Sequence, residues 1–92
     1  MIVKFTEVYP ISSNQSSFKL REVGINPSFV VCTRMNDTML GNLREGRLPE
    51  GLDERQEFTQ IILDRGHGYS ITVVGDTETV NKQLSKKALL KG

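Results

Sequence analysis

Six arginine residues are the side chains of this sequence best suited to holding a ligand. The guanidinium group is planar and carries several N–H donors, so it can bind a carboxylate or a phosphate through two parallel hydrogen bonds. The six are Arg21, Arg34, Arg44, Arg47, Arg55 and Arg65. Arg21 and Arg34 are expected on two neighbouring extended segments, where they could be cross-strand neighbours. With Glu22 and Glu57 expected nearby, ordinary surface ion pairs are the favoured interpretation.

Cys32 and His67 are the only thiol and the only imidazole of the chain. A single cysteine forms no intrachain disulfide, which fits a reducing compartment. The histidine is far from the cysteine in the sequence and has no obvious third partner, so nucleophilic catalysis is not indicated. No spacing with Asp64 suits a metal ion. We predict that Cys32 is a buried small hydrophobe and that the chain binds no metal or cofactor.

The glycines that flank His67 superficially resemble a phosphate-binding loop. Gly66 and Gly68, however, join two predicted strands, and no helix N-terminus follows them. A hairpin turn with His67 exposed is therefore favoured. The sequence also lacks a P-loop, a dinucleotide fingerprint, zinc-ligand spacing and a nucleophile elbow, so an enzyme ranks last among the function classes.

The charge balance argues against a generic polyanionic partner. Twelve basic and eleven acidic residues give a formal net charge of +1, and few aromatic side chains are expected at the surface, which disfavours nucleic-acid binding. The lysines near the C-terminal end are interpreted as a solvated helix face: Lys82, Lys86, Lys87 and Lys91. No apolar run approaches the roughly 20 residues that span a bilayer, and the start lacks the pattern of a secretory signal. We therefore expect a cytoplasmic protein without membrane contact.

The elements that must position these side chains follow from hydrophobic periodicity. Strands are predicted at 2–9, 18–25, 29–35, 58–64 and 69–74, and helices at 38–45 and 77–90. We assign all of them to one domain, residues 1–92, with an α+β fold. This fold is a small bent antiparallel sheet or open barrel of about five strands, with a short helix in an insertion and a C-terminal helix. The exposed edges of such a sheet favour a homo-oligomer.

The segment 18–35 organises the predicted sheet, because Asn26 and Pro27 bend the chain between two extended runs. In the first run the apolar positions switch parity after Leu20. This switch indicates either a bulge or a strand that crosses between two packing surfaces. In the second run Val30 to Cys32 are consecutively apolar, which indicates a central strand covered on both faces.

Residues 36–57 form an inserted helix and loop. Asn36 and Asp37 offer an N-cap, Gly46 offers a C-terminal cap, and Gly41 costs the helix roughly 1 kcal/mol relative to alanine. Apolar side chains among charges indicate either a partner-facing patch or a lid over one sheet face, and both alternatives stay open. The candidate binding residues, taken from this insertion and the strand before it, are Arg34, Met39, Leu43, Arg44, Arg47 and Arg55.

Several islands of the chain resemble the small FlbD-like proteins, which are encoded near flagellar genes in many bacteria and also occur as short phage products. The similar residues are the opening Met1-Ile2-Val3-Lys4, the corner Ile25-Asn26-Pro27 with Val30-Val31, the run Ile61-Ile62-Leu63-Asp64, and Tyr69, Ile71, Val73, Val80 and Leu84. Residues 36–57 depart from that family, which has a short turn in their place. The resemblance implies a similar small fold and brings no catalytic residue with it.

Together these observations predict a small non-catalytic interaction or regulatory module, for example a phage-encoded or accessory regulator that binds a host protein. The alternative is an oligomeric binder of a small anionic ligand such as a nucleotide, with arginines gathered at a subunit interface.

Overall fold

The computed structural model describes residues 2–11, 17–64 and 69–91, with side chains given as far as Ser85. The predicted α+β fold is confirmed, and the predicted bounds of each strand and α-helix differ from the observed ones by one residue at most. The observed elements are β1 Val3–Pro10, β2 Phe18–Ile25, a 3-10 turn Pro27–Phe29, β3 Val30–Met35, α1 Asp37–Arg44, β4 Phe58–Leu63, β5 Ser70–Val74 and α2 Thr77–Lys91.

The five strands form one antiparallel sheet in the order β2-β1-β5-β4-β3. Strands β2 and β3 therefore occupy its two edges, although only residues 26–29 separate them in the chain. In a flat sheet these edges would be about 19 Å apart, whereas the connection spans about 17 Å even when fully extended. Because part of it is a tight 3-10 turn, the sheet must curl until its edges approach each other.

The prediction that β3 is a central strand is wrong, because β3 lies at an edge of the sheet. Its consecutive apolar residues coincide instead with a bulge: the register against β4 shifts between Val30 and Cys32. A bulge sets one residue out of the regular alternation, so three apolar residues in a row do not require cover on both faces.

The corner between β2 and β3 is closed by the side chain of Asn26. Its Oδ1 accepts hydrogen bonds from the backbone N–H of Ser28 at 3.0 Å and from the Ser28 hydroxyl at 2.8 Å. Pro27, which has no N–H to lose, begins the turn. Because the two runs then diverge to opposite edges, the expectation that Arg21 and Arg34 are cross-strand neighbours is wrong.

Helix α2 covers one face of the sheet. Its N-terminus is capped by Asp76, whose carboxylate accepts from the Thr79 N–H at 3.1 Å and from the Thr79 hydroxyl at 2.6 Å. From there the helix adds Val80 and Leu84 to the larger core cluster. The buried residues of that cluster are Val3, Phe5, Ile25, Ile61, Leu63, Ile71, Val73, Val80 and Leu84.

The insertion covers part of the opposite face. Asn36 caps α1 by accepting the Met39 N–H at 3.0 Å, and Gly46 follows the helix with a φ of 76°. Two backbone bonds tie the loop to the sheet, from Phe18 N–H to Arg47 O and from Gly75 N–H to Glu57 O, both 2.9 Å. The second core cluster lies beneath it and consists of Val8, Phe18, Met39, Leu48 and Phe58.

These two clusters explain the parity switch in β2. Phe18 and Leu20 pack beneath the insertion, whereas Val23 and Ile25 pack beneath α2. The pairing of β2 with β1 is regular throughout. The strand therefore crosses between two packing surfaces, and the bulge alternative is wrong for β2.

Some sequence predictions fall outside the described residues. These are the glycine turn at 65–68 with Arg65 and His67, and the side chains of Lys86, Lys87 and Lys91. None of the described helices is both long enough and apolar enough to cross a membrane.

Candidate functional site

The six candidate binding residues do not form one site. The side chain of Met39 is buried in the core beneath α1, and Leu43 is half-buried beside it. Arg47 lies within 2.9 Å of the Glu45 carboxylate and donates to Asn42 Oδ1 at 3.2 Å. Arg34 stands on β3, opposite Gln60.

Only three of the six come together. Leu43, Arg44 and Arg55 line an open depression of about 360 Å³, which they share with Glu54. The carboxylate in this depression offsets part of the positive charge that an anionic ligand would need.

Arg21 is committed to holding a buried carboxylate. It approaches Glu7 through two nitrogens, at 2.9 and 3.4 Å, and its guanidinium lies 4.1 Å from the centre of the Tyr9 ring. The hydrogen bond to Glu7 raises the pKa of Arg21 above its ordinary value. Glu7 is only 7% exposed, so this pair satisfies a buried charge within the sheet and engages two of the three guanidinium nitrogens of Arg21. The sequence signal for this buried carboxylate was its spacing from Val3 and Phe5. Alternate residues of a strand share one face, so Glu7 lies on the same face of β1 as these two core residues.

The two edges of the sheet present different surfaces. On β2 the exposed side chains are charged: Lys19, Arg21 and Glu22. Charged residues on an edge strand discourage pairing with another chain. On β3 the exposed residues are Val31, Cys32, Arg34 and Met35, and the exposed Phe29 directly precedes the strand. Phe29, Val31 and Met35 are 54%, 64% and 49% exposed, which leaves this edge largely apolar.

The backbone of β3 is also open on its outer side. The Asn36 N–H donates to Phe58 O of β4 at 2.9 Å. Since hydrogen-bonded positions alternate along an antiparallel strand, Arg34 and Cys32 also face β4. Thr33 and Met35 consequently direct their N–H and C=O groups away from β4, where the described residues place no further strand. We call the outward backbone of 31–35, with the side chains of Phe29, Val31 and Met35, the β3 edge surface.

An apolar pocket lies at one end of this surface, in the seam where the curled sheet brings its two edges together. Its volume is about 460 Å³, and it is lined by Ile2, Gly24, Ile25, Asn26, Phe29, Leu63 and Asp64. A Cβ on Gly24 would lie 2.6 Å from Cγ2 of Ile2, so a larger residue there would force the exposed Ile2 side chain to move. Asp64 is the one charged residue among the lining residues. The seam pocket can therefore receive an apolar side chain beside a cationic group.

Cys32 is exposed, so the prediction that it is buried is wrong. Its position on an edge strand explains the difference, because the described residues place no strand on the outer side of β3. Sequence reasoning missed Phe29, Val31 and Met35 for the same reason. No local signal in the sequence identifies them, because their exposure follows from the edge position of β3 in the assembled sheet.

The described residues contain no group of three or more His, Cys, Asp or Glu side chains that could hold a metal ion. Comparison of the chain with protein-family models, with curated proteins and with solved structures found no match.

Proposed function

We propose that this chain is a small non-catalytic interaction module that binds an extended segment of a protein partner along the β3 edge surface. The contrast between the edges supports this proposal most strongly: β2 carries charges that discourage strand addition, and β3 carries exposed apolar side chains. In strand addition, backbone hydrogen bonds supply affinity and alternate side chains supply specificity. Both components are present on β3.

The strength of the interaction can be estimated from the backbone groups and apolar side chains that the β3 edge surface offers. Thr33 and Met35 offer two N–H and two C=O groups, each worth about 0.5–1.5 kcal/mol net when paired. Complete burial of Phe, Val or Met contributes about 1.5–3 kcal/mol each, and about half of that remains to be gained here because these side chains are already half-buried. These gains only modestly exceed the cost of association, about 4 kcal/mol or more. Reversible binding is expected.

The seam pocket adds specificity at one end of the added strand. A partner segment that continues past Phe29 reaches the pocket, where Ile25 and Leu63 offer apolar contact and Asp64 offers a carboxylate. A segment with an aliphatic or aromatic residue next to a lysine or arginine would fill this pocket best, whereas strand pairing along residues 31–35 does not require that the pocket be filled. A module of this kind would regulate a larger assembly by occupying one of its extended segments, in the cytoplasm.

Site-specific photo-crosslinking tests the proposal. A photoreactive phenylalanine analogue is placed at Met35 or, as the matched control, at Lys19 on the opposite edge, in cells of the organism that encodes the chain. Both positions are exposed. Protein adducts are expected from position 35 and not from position 19. Equal adducts from both positions, or none from position 35, would refute the assignment of the β3 edge.

The depression beside α1 supports a second candidate, the binding of a small anion. Arg44 and Arg55 lie there together, although Glu54 opposes an anionic ligand. Titration with ATP, followed by amide shifts in NMR, should then move signals of these two arginines, and Arg44→Glu should abolish the response. An Arg47→Glu control should preserve it. The absence of shifts at millimolar ATP would end this alternative.

A further inference from the structure

The β3 edge is self-complementary about Thr33. When a second copy of β3 runs antiparallel with Thr33 opposite its own counterpart, residue 31 stands opposite residue 35, and residue 32 stands opposite residue 34. The two most exposed apolar residues of the strand, Val31 and Met35, then pair with each other twice. We propose that the segment that occupies the β3 edge surface is β3 of a second copy, in a symmetric dimer centred on Thr33. This inference rests on the proposed function.

The alternation of the backbone groups supports this register. Thr33 directs both its N–H and its C=O outward, so two copies exchange two hydrogen bonds at the symmetry axis, and Met35 supplies further groups on either side. Direct Thr–Thr pairs and apolar pairs across neighbouring strands are favourable, at about 0.2–1 kcal/mol each. The pairing thus satisfies the outward backbone groups of Thr33 and covers the exposed side chains of Val31 and Met35.

Neighbouring registers fit less well. A dimer centred on Arg34 would place this cation directly opposite its own counterpart, which is unfavourable. A dimer centred on Cys32 would have to continue across the bulge at Val31 on both sides, where the strand departs from regular geometry. Centring on Thr33 uses residues 31–35 and leaves the bulge at the end of the paired segment.

The surroundings of the edge leave room for the second copy. The two-fold axis of an antiparallel strand pair is perpendicular to the sheet, so both α2 helices would lie on the same face. Helix α2 runs beside β3, where the Thr33 hydroxyl lies 2.6 Å from Oδ1 of Asn81. Between the two elements is an open groove of about 320 Å³, lined in part by Val31, Asn81 and Ser85. Side chains of the second copy can enter this groove.

The area is small for a permanent dimer. Stable interfaces bury about 1,200–2,000 Å² in total, and interfaces below that range are typically transient. The area that a single five-residue strand pair buries falls at the lower end of this scale, with the transient interfaces. A monomer–dimer equilibrium at micromolar to submillimolar concentration is therefore expected, and the net charge of +1 per chain adds little repulsion.

Sedimentation velocity from 1 to 200 μM, a range chosen to bracket the expected equilibrium, tests whether the dimer forms. The expected result is a rise of the weight-average mass with concentration, lost in Met35→Lys and retained in Glu22→Lys, a control on the β2 edge. Circular dichroism confirms that both variants remain folded. A strict monomer over the whole range would overturn the dimer. Photo-crosslinks from position 35 to another protein would in that case still support the proposed function.

Oxidative cross-linking tests the register. With Thr33 at the axis, the Cα atoms of the two Cys32 residues are about 8 Å apart, too far for a disulfide. Position 34 lies directly opposite Cys32, in a pair whose Cα atoms are about 4.5 Å apart. Mild oxidation should therefore cross-link Arg34→Cys into dimers and leave the wild type uncross-linked. Efficient cross-linking of the wild type, or none in the variant at a dimer-forming concentration, would overturn the Thr33-centred arrangement.

Discussion

Substitution of Met39 by alanine tests whether the insertion is part of the folded core. The side chain of Met39 projects from α1 onto the sheet and is 7% exposed, in a cluster with Val8, Phe18, Leu48 and Phe58. Its neighbour Leu40 is half-buried and is not among the members of that cluster. The two side chains are of similar size, so Leu40→Ala is the matched control. Alanine is the best helix former, and neither change weakens α1 itself.

The expected loss of stability follows from the burial. Replacement of a buried methionine by alanine costs about 2–5 kcal/mol. The lower part of that range, about 2–3 kcal/mol, applies here, because neighbours such as Leu43 and Leu52 are only partly buried and can move into the space. A domain of this size has a free energy of unfolding of roughly 5–14 kcal/mol. The change would lower the melting temperature by roughly 8–24 °C.

Urea denaturation followed by circular dichroism measures this loss. Met39→Ala should lower the free energy of unfolding by about 2–3 kcal/mol and Leu40→Ala by about 1 kcal/mol or less. If the two variants lie within about 0.5 kcal/mol of each other, Met39 does not anchor the insertion. The alternative from the sequence analysis, that residues 36–57 form a partner-facing patch rather than a lid, would then be favoured for Met39.

Two further predictions concern glycine and aspartate. Gly41 has open space around a Cβ position in α1, so Gly41→Ala should stabilise the protein by about 1 kcal/mol, whereas Gly75→Ala should destabilise it because the φ of Gly75 is 131°. If urea denaturation shows that both substitutions change the free energy of unfolding in the same direction, this contrast is contradicted. The hydrogen bond from the Thr79 hydroxyl is the main cause of the lowered pKa of Asp76. The contribution of the Asp76 carboxylate to stability is therefore present above about pH 4 and is lost as the pH falls through the lowered pKa. Stability of the wild type relative to Asp76→Asn should therefore fall as the pH is lowered below about 4 through the lowered pKa of Asp76, and a constant difference would contradict the cap.

The elements of this fold were largely predictable because their signals are local. Alternating apolar residues located the strands, and Asn36 and Asp76 marked helix starts through side chains that accept backbone N–H groups. Even the parity switch in β2 was readable, since Phe18 and Ile25 belong to different faces of the sheet.

The order of the strands was not predictable from such signals. It depends on which segments pair across long separations, and β2 and β3 are neighbours in the chain without pairing. That single fact changes the meaning of Val30 to Cys32 from a covered strand to an open edge. It also explains why Arg21 finds its partner in Glu7 of β1 rather than near Arg34.

The candidate site was only partly predictable for a related reason. Met39 and Arg44 lie on one short helix, but only the assembled structure shows which side chain packs onto the sheet. Periodicity alone does not distinguish the buried from the exposed apolar residues of 36–57, because α1 is too short for a strong helical pattern. The exposed apolar residues of β3 could be recognised only after its edge position was known.

Amide hydrogen exchange at Thr33 and Met35 tests the central claim, that the outer side of β3 is an open edge which a second strand covers. At a concentration where sedimentation shows monomer, both amides should exchange rapidly, whereas the Arg34 amide, which faces β4, should exchange slowly. At a dimer-forming concentration, or in a complex with a partner identified from position 35, the Thr33 and Met35 amides should slow by about tenfold or more, as expected for protection of at least 1.4 kcal/mol. Slow exchange already in the monomer, or unchanged rapid exchange in the complex, would contradict the account.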